Sequence, residues 1–254
     1  MELWTPEHTR TLLPALGVMI LIAVILRVTI GKKDLKIRMI PFQILTCVLL
    51  LLELGKQILS FEDGYDLYHL PFHFCSLFIF ALPAMAFYKG KHRNLVSGVT
   101  AALCTAVFAL MLIYPNLIYS DGAIRGFSES FFNMHTVVYH NIVMMQCVLI
   151  LFLNLHTPTS KKEPVVVLLA VVAFCVVSAS MAYILKTNYA NFYTCNIPVL
   201  EEVRLSILGT LGYVVTQLLY VAIVSALNLV FVFAFYWVYR LARRLVNKKA
   251  LQTV

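Results

Sequence analysis

The sequence predicts an all-α, polytopic membrane protein of seven transmembrane helices, with the N-terminus out and the C-terminus in. Three observations carry this expectation. Of 254 residues, 61% are hydrophobic and only 13% charged; apolar runs of membrane-crossing length recur along the chain; and Lys and Arg gather in alternate connections. Such a composition is far from that of a water-soluble domain. No internal repeat and no long Pro/Gly/Ser-rich linker divides the chain, so a single membrane domain over residues 1–254 is expected.

About 20 residues are needed to cross ~30 Å of hydrocarbon. Seven segments approach that length: residues 12–30, 39–59, 70–88, 95–114, 131–155, 164–185 and 205–239. The last is long for one upright helix and short for two. Its start reads as a tilted or interfacial segment leading into a span near 218–239, with Tyr236, Trp237 and Tyr239 as interface anchors. An eighth span would bring both chain ends to one side, which the charges oppose.

Positive charge marks cytoplasmic connections because it sets insertion topology. One side collects Lys32, Lys33, Lys36 and Arg38, then Lys89, Lys91 and Arg93, then Lys161 and Lys162, and finally Arg240, Arg243, Arg244, Lys248 and Lys249. The other side holds only Arg10, Lys56, Arg125, Lys186 and Arg204, together with most of the acids, such as Glu62, Asp63, Asp66, Glu201 and Glu202. Topology and anionic lipid headgroups account for the net charge of +8, which supplies no reason to expect nucleic-acid binding. The opening "MELWTPEHTR" has neither the basic n-region nor the small-residue cleavage site of a signal peptide, so the first span is expected to be retained.

Cys47, Cys75, Cys104, Cys147 and Cys175 fall inside the spans as small apolar packing residues, and Cys195 falls in an outer connection. No zinc-like spacing is present, and neither a metal nor another cofactor is expected.

Polar side chains within spans are costly in hydrocarbon and are therefore the candidates for function. Glu53 and Lys56, three residues apart, share a helix face in the outer half of span two. They read either as a self-neutralising ion pair or as part of a site. His69 and His73 open span three, in the stretch "HLPFHFCSLFIF". Asn133, His135, His140 and Asn141 lie in the outer half of span five. His140 points about 140° away from His135, toward a bond with a neighbouring helix. The connection "TNYANFYTCNIP" adds Asn188, Tyr189, Asn191, Tyr193 and Asn196, with Asn188 and Tyr189 also readable as turn formers. Tyr213, Gln217 and Tyr220 follow on one face of span seven. These segments bring their polar groups to one leaflet, which implies a polar cavity opening outward or sideways into the outer leaflet. The inner half reads as almost free of ionisable groups.

On a regular helix His69, His73 and Ser76 cluster, Phe72 lies beside them and Cys75 points away. Pro71 permits an irregular first turn that brings Cys75 round. Neither Ser76 nor Cys75 is singled out as a nucleophile by this geometry.

The motifs "HLPFHFCSL", "ELGKQ", a histidine in the outer part of span five and "NYANFY", in this order, resemble the signature of the YwaF-like bacterial integral membrane proteins. More distantly the chain is similar to the eukaryotic transmembrane protein 164 phospholipid acyltransferases. The resemblance implies a heptahelical core, with site residues at Glu53, Lys56, His73, His135 and Asn188. The acyl-accepting cysteine of the eukaryotic relatives falls on Phe72, which cannot accept an acyl group. The implied activity is therefore acyl transfer or acyl-ester hydrolysis on a phospholipid or related lipid at the outer leaflet. It would run through a covalent intermediate on Ser76 or Cys75, or directly, with His73 or His135 as general base and Lys56 or Asn188 stabilising the oxyanion. His69, Phe72, Tyr189, Tyr213 and Gln217 complete the expected binding set. The expected partners are membrane lipids, an acyl-donor lipid among them, and the expected location is the plasma membrane if the protein is bacterial. The alternative is a non-enzymatic binding, sensing or transport protein using the same cavity.

Overall fold

The computed structural model describes residues 3–62, 64–196 and 198–252, and among them every regular element is helical. In chain order these are α1 (Pro6–Ile30), α2 (Leu35–Glu62), α3 (Phe78–Phe87), α4 (Arg93–Ile113), α5 (Pro115–Ile118), α6 (Asp121–Arg125), α7 (Phe131–Phe152), α8 (Glu163–Ile184), α9 (Pro198–Leu211) and α10 (Tyr213–Gln252). Six are long and apolar enough to cross a membrane: α1, α2, α4, α7, α8 and the stretch Tyr213–Leu245 of α10.

The outer faces of these helices are greasy. Val28 is 78% exposed and Ile184 70%, which suits lipid as the surrounding solvent and not water. Helices α4 and α7 are the most deeply buried, and α1 and α10 the least. On α4 the small residues Gly98, Ala101, Ala102, Ala106 and Ala109 are turned toward its neighbours. Small residues let backbones approach closely where no hydrophobic force pulls helices together, and α4 packs against α7, α8 and α10.

Span three departs from the expected regular helix. Residues Leu67–His69 and Phe74–Leu77 form 3-10 turns, and α-helix begins only at Phe78. Pro71 lacks the N–H that a continuing helix requires. Side chains from elsewhere satisfy the loosened carbonyls: Ser178 Oγ donates to Phe72 O at 2.8 Å and Tyr139 OH to Cys75 O at 2.9 Å. The helical-wheel placement of Cys75 away from the histidines therefore does not hold.

Span seven is also broken. Helix α9 ends at Leu211 and α10 starts at Tyr213, with Gly212 at φ 75° between them. Glycine adopts this left-handed conformation without a Cβ penalty, so the expected tilted segment is a separate helix.

The end of the bundle remote from Glu53 and His135, expected to be almost free of ionisable groups, carries several buried ones. Glu163, fully buried, heads α8. Its Oε1 accepts from Tyr236 OH at 3.0 Å, and its Oε2 lies 3.3 Å from His156 Nε2. Tyr239 stacks on His156, with its hydroxyl 2.9 Å from Nδ1. Tyr236 and Tyr239 are thus buried hydrogen-bonding residues and not interface anchors, while Trp237 is exposed. Three arginines close the C-terminal end of α7, whose last carbonyls have no partner within the helix. Arg27 donates to Phe152 O at 3.1 Å, Arg38 to Leu153 O at 2.6 Å and Asn154 O at 3.1 Å, and Arg243 to the Asn154 side chain and to His156 O. Cations there also complement the helix dipole.

The Glu163 carboxyl rests directly on α4. A Cβ added at Gly98 would meet its Cδ at 2.5 Å, and the carboxyl is held by Tyr236 and cannot simply swing aside. We expect Gly98→Ala to destabilise the protein by about 1–3 kcal/mol, read as a lowered thermal midpoint in detergent. An unchanged midpoint would show that Glu163 is free to move.

Candidate functional site

At the other end of the bundle, the C-terminal half of α2, the irregular start of span three, the first turns of α7, the 188–196 connection, α9 and the first half of α10 surround an open cavity of ≈ 960 Å³. Glu53, Lys56, His69, His73, Cys75, Ser76, His135, His140 and Asn188 all line it. Phe72, Tyr189, Tyr213 and Gln217 do not. Phe72 packs edge-on against Tyr189, and Tyr189 is fully buried with its hydroxyl on Leu67 O. Tyr213 is 53% exposed. The Gln217 amide oxygen accepts from Tyr183 OH at 2.8 Å. These four support the walls of the cavity from behind or stand outside it; Tyr220, one turn beyond Thr216, does reach it.

Glu53 is the hub. Its Oε1 takes Lys56 Nζ at 2.6 Å and Gln57 Nε2 at 2.8 Å, while Oε2 faces His135 Nε2 at 3.1 Å. The i,i+3 spacing on α2 makes the lysine contact a local one; the histidine comes from α7, 82 residues away. An ionised carboxylate only accepts, so His135 must donate through Nε2–H. That leaves the Nδ1 lone pair as the basic atom of a neutral ring. The same reasoning applies to His73, whose Nε2 donates to Tyr68 O at 3.1 Å and whose Nδ1 is therefore the basic atom. Its ring lies between Tyr68 and Tyr189. A carboxylate-oriented imidazole is an arrangement suited to moving a proton.

His69 sits in the connection before span three, with Ser60 Oγ 2.5 Å from its Nδ1 and Phe132 stacked on its ring. Burial first, and the nearby Lys56 second, push its imidazole below the usual histidine range. His140 corrects another expectation: its Nδ1–H bonds Thr136 O on its own helix at 2.7 Å, not a neighbouring helix. Asn141 does likewise, donating to Val137 O. Asn188 turns its connection, its Oδ1 accepting from Tyr193 N and Thr194 N and its Nδ2 donating to Asn196.

Sequence reasoning overlooked the Glu201–Arg204 pair of α9 as a site feature. Arg204 lines the cavity, donates to both Glu201 oxygens at 2.8 and 2.5 Å and lies over the Tyr220 ring. The Arg204 hydrogen bonds hold the Glu201 carboxyl below its usual range. The i,i+3 acid–base spacing was the available signal, the same one that marked Glu53 and Lys56.

Lipid-facing helices and a largely apolar cavity with polar and ionisable groups on one wall, toward one end of their bundle, define an integral membrane protein with a ligand-sized site. Residues 3–236 match the TMEM164 family, and the chain belongs to it. The match carries this name and not the YwaF-like one. No curated protein and no solved structure matches the chain.

Proposed function

We propose that the protein is a lipid-active membrane enzyme that transfers or hydrolyses acyl esters of a phospholipid or related lipid at the outer leaflet. The observation that carries this reading is the Glu53–His135 pair, a carboxylate-anchored imidazole inside a cavity that is polar around α2 and α7 and apolar along α10. In the direct route, Nδ1 of His135 or of His73 takes the proton of an incoming hydroxyl as its oxygen attacks the ester carbonyl, and returns it to the departing alkoxide. The Lys56 ammonium has protons beyond the one directed at Glu53, and these stabilise the oxyanion. Asn188 is less suited, because its amide is uncharged and keeps only one N–H beyond the one directed at Asn196. Ser76 or Cys75 would serve only in a covalent route. Membrane lipids, including an acyl donor, are the partners.

The same reading takes seven crossings in one heptahelical unit, with the irregular 70–77 segment and α3 together as the third, the cavity outside and the arginine clamp inside. In a bacterium the membrane is the plasma membrane. Labelling of cysteines placed at Lys33, Lys91 and Lys162 should fail from outside intact cells and succeed after permeabilisation; labelling from outside would invert the topology.

Phe72 in the place of an acyl-accepting cysteine favours the second reading, a binding or transport protein. Incubation of the purified protein with a labelled phospholipid and an alcohol acceptor, or water, decides between them. We expect release or transfer of the acyl group; retention of intact lipid under all conditions would leave only binding.

A further inference from the structure

A second hollow lies toward the basic end of the bundle and shares no wall residue with the cavity around Glu53. It is a groove of ≈ 490 Å³ between α3, α4 and α8, walled by Ala84 of α3, Val99 and Leu103 of α4, and Val166 and Ala170 of α8. Phe80, exposed on α3, also lines it, so the groove opens on the side that faces lipid. The small alanine side chains at 84 and 170 leave the space.

The walls suit hydrocarbon. Only His92 and Thr100 among the lining residues carry polar side-chain atoms, and the Thr100 hydroxyl is spent on Ala81 O at 2.9 Å. A polar ligand group would find a side-chain partner only at the His92 end. From His92 to Leu103 the α4 wall runs roughly 16 Å, close to half of the ~30 Å hydrocarbon layer. That is the depth of one acyl chain in a single leaflet.

The His92 end is basic. Lys162, in helical conformation, caps α8 one turn before Val166 and two before Ala170, so it continues their face. Asn94 Nδ2 donates to Thr159 Oγ1 at 3.3 Å, which holds the start of α4 against the segment leading into α8 and brings His92 and Lys162 to the same end of the groove. Lys91 and Arg93 flank His92 in the chain, and Lys91, His92 and Lys162 are exposed. Among the described residues neither Lys91, Arg93 nor Lys162 is in a salt bridge. Toward the opposite end the α8 face continues to Phe174, packed edge-on against Phe74 with ring centroids 5.5 Å apart. Charge at one end and apolar walls along the rest match the polarity of an anionic phospholipid. In a membrane some lipid chain fills any such groove, and unpaired cations at its mouth decide which headgroup is held. A zwitterionic headgroup would bring an ammonium of its own toward them.

We propose that this groove is a binding site for an anionic phospholipid of the leaflet at the basic end, with one acyl chain between α3, α4 and α8 and the phosphate at Lys162, His92 and Lys91. The site is separate from the Glu53–His135 cavity and requires no chemistry there.

The test titrates the purified full chain in detergent with dioleoyl phosphatidylglycerol or dioleoyl phosphatidylcholine, which share their acyl chains, and counts bound lipid by native mass spectrometry. One phosphatidylglycerol should bind roughly 10- to 100-fold more tightly than phosphatidylcholine, about fivefold for each cation at the mouth. Lys91→Gln combined with Lys162→Gln, both on the surface, should remove most of that preference. Ala170→Phe keeps every cation but fills the groove, and should abolish the tight site. Ala84→Phe does the same from α3 and keeps the test valid if Ala170→Phe does not fold.

Equal affinity of the wild type for the two lipids would overturn the site, as would a preference unchanged in the double lysine variant. A preference undiminished in a folded groove-filling variant would overturn it too, because the cations would then be attracting headgroups as an open basic surface.

Discussion

Replacing His135 by alanine is expected to lower acyl turnover by about 100- to 10,000-fold, the range general acid–base catalysis supplies. Alanine also strips a partner from Glu53 Oε2, so loss of activity must be separated from loss of fold. His135→Gln separates them: its amide can still donate to Glu53, but it has no basic nitrogen. It should match the alanine variant in inactivity and the wild type in thermal midpoint. His73→Ala should also be severe if His73 rather than His135 takes the proton, and the ratio of the two losses identifies the base. Cys75→Ala should be mild, because attack by an activated hydroxyl needs no thiol. Cys75 does line the cavity, so the result is informative. Abolition of turnover in folded Cys75→Ala would restore a thiol nucleophile, and a fully active His135→Gln would sink the general-base assignment.

Glu53→Gln is expected to cost about 3–5 kcal/mol of stability, the usual penalty for removing one partner of a buried ion pair. Glu53 is 7% exposed and the Lys56 side chain 14%, so the orphaned ammonium would have little water to turn to. Thermal unfolding in detergent reads the effect, and the double variant Glu53→Gln with Lys56→Gln should recover much of it, because no charge is then stranded. A single-variant loss below about 1 kcal/mol would indicate a solvent-screened pair of the surface type.

The long spans were legible because their signal is local. Six of the seven expected segments appear as long apolar helices near the expected positions, since run length and hydropathy need no knowledge of neighbours. Legibility failed where the backbone leaves the regular helix. Around Pro71 the carbonyls of Phe72 and Cys75 find donors on α8 and α7, and a helical wheel cannot contain partners so distant in sequence. It failed again at the remote end, where Glu163 and His156 fall between the expected spans and the inner half was expected to be almost free of ionisable groups. Their burial depends on Tyr236 and Tyr239 arriving from α10 and on Gly98 leaving room on α4.

The sequence by itself determined the membrane class, the helical architecture and the segments that contribute polar groups to one end. These follow from composition, run length and the spacing of polar residues within single helices. Which of those groups meet was decided only by the tertiary structure. Glu53 and Lys56 were paired by local spacing, whereas the bond from Glu53 to His135, the retreat of Phe72, Tyr189 and Gln217 behind the cavity wall and the unpaired Nε2 of His140 all depend on how separate helices pack. A side chain's hydrogen-bond partner reflects three-dimensional proximity, and in lipid, where water cannot supply a substitute, that proximity decides what each polar group can do.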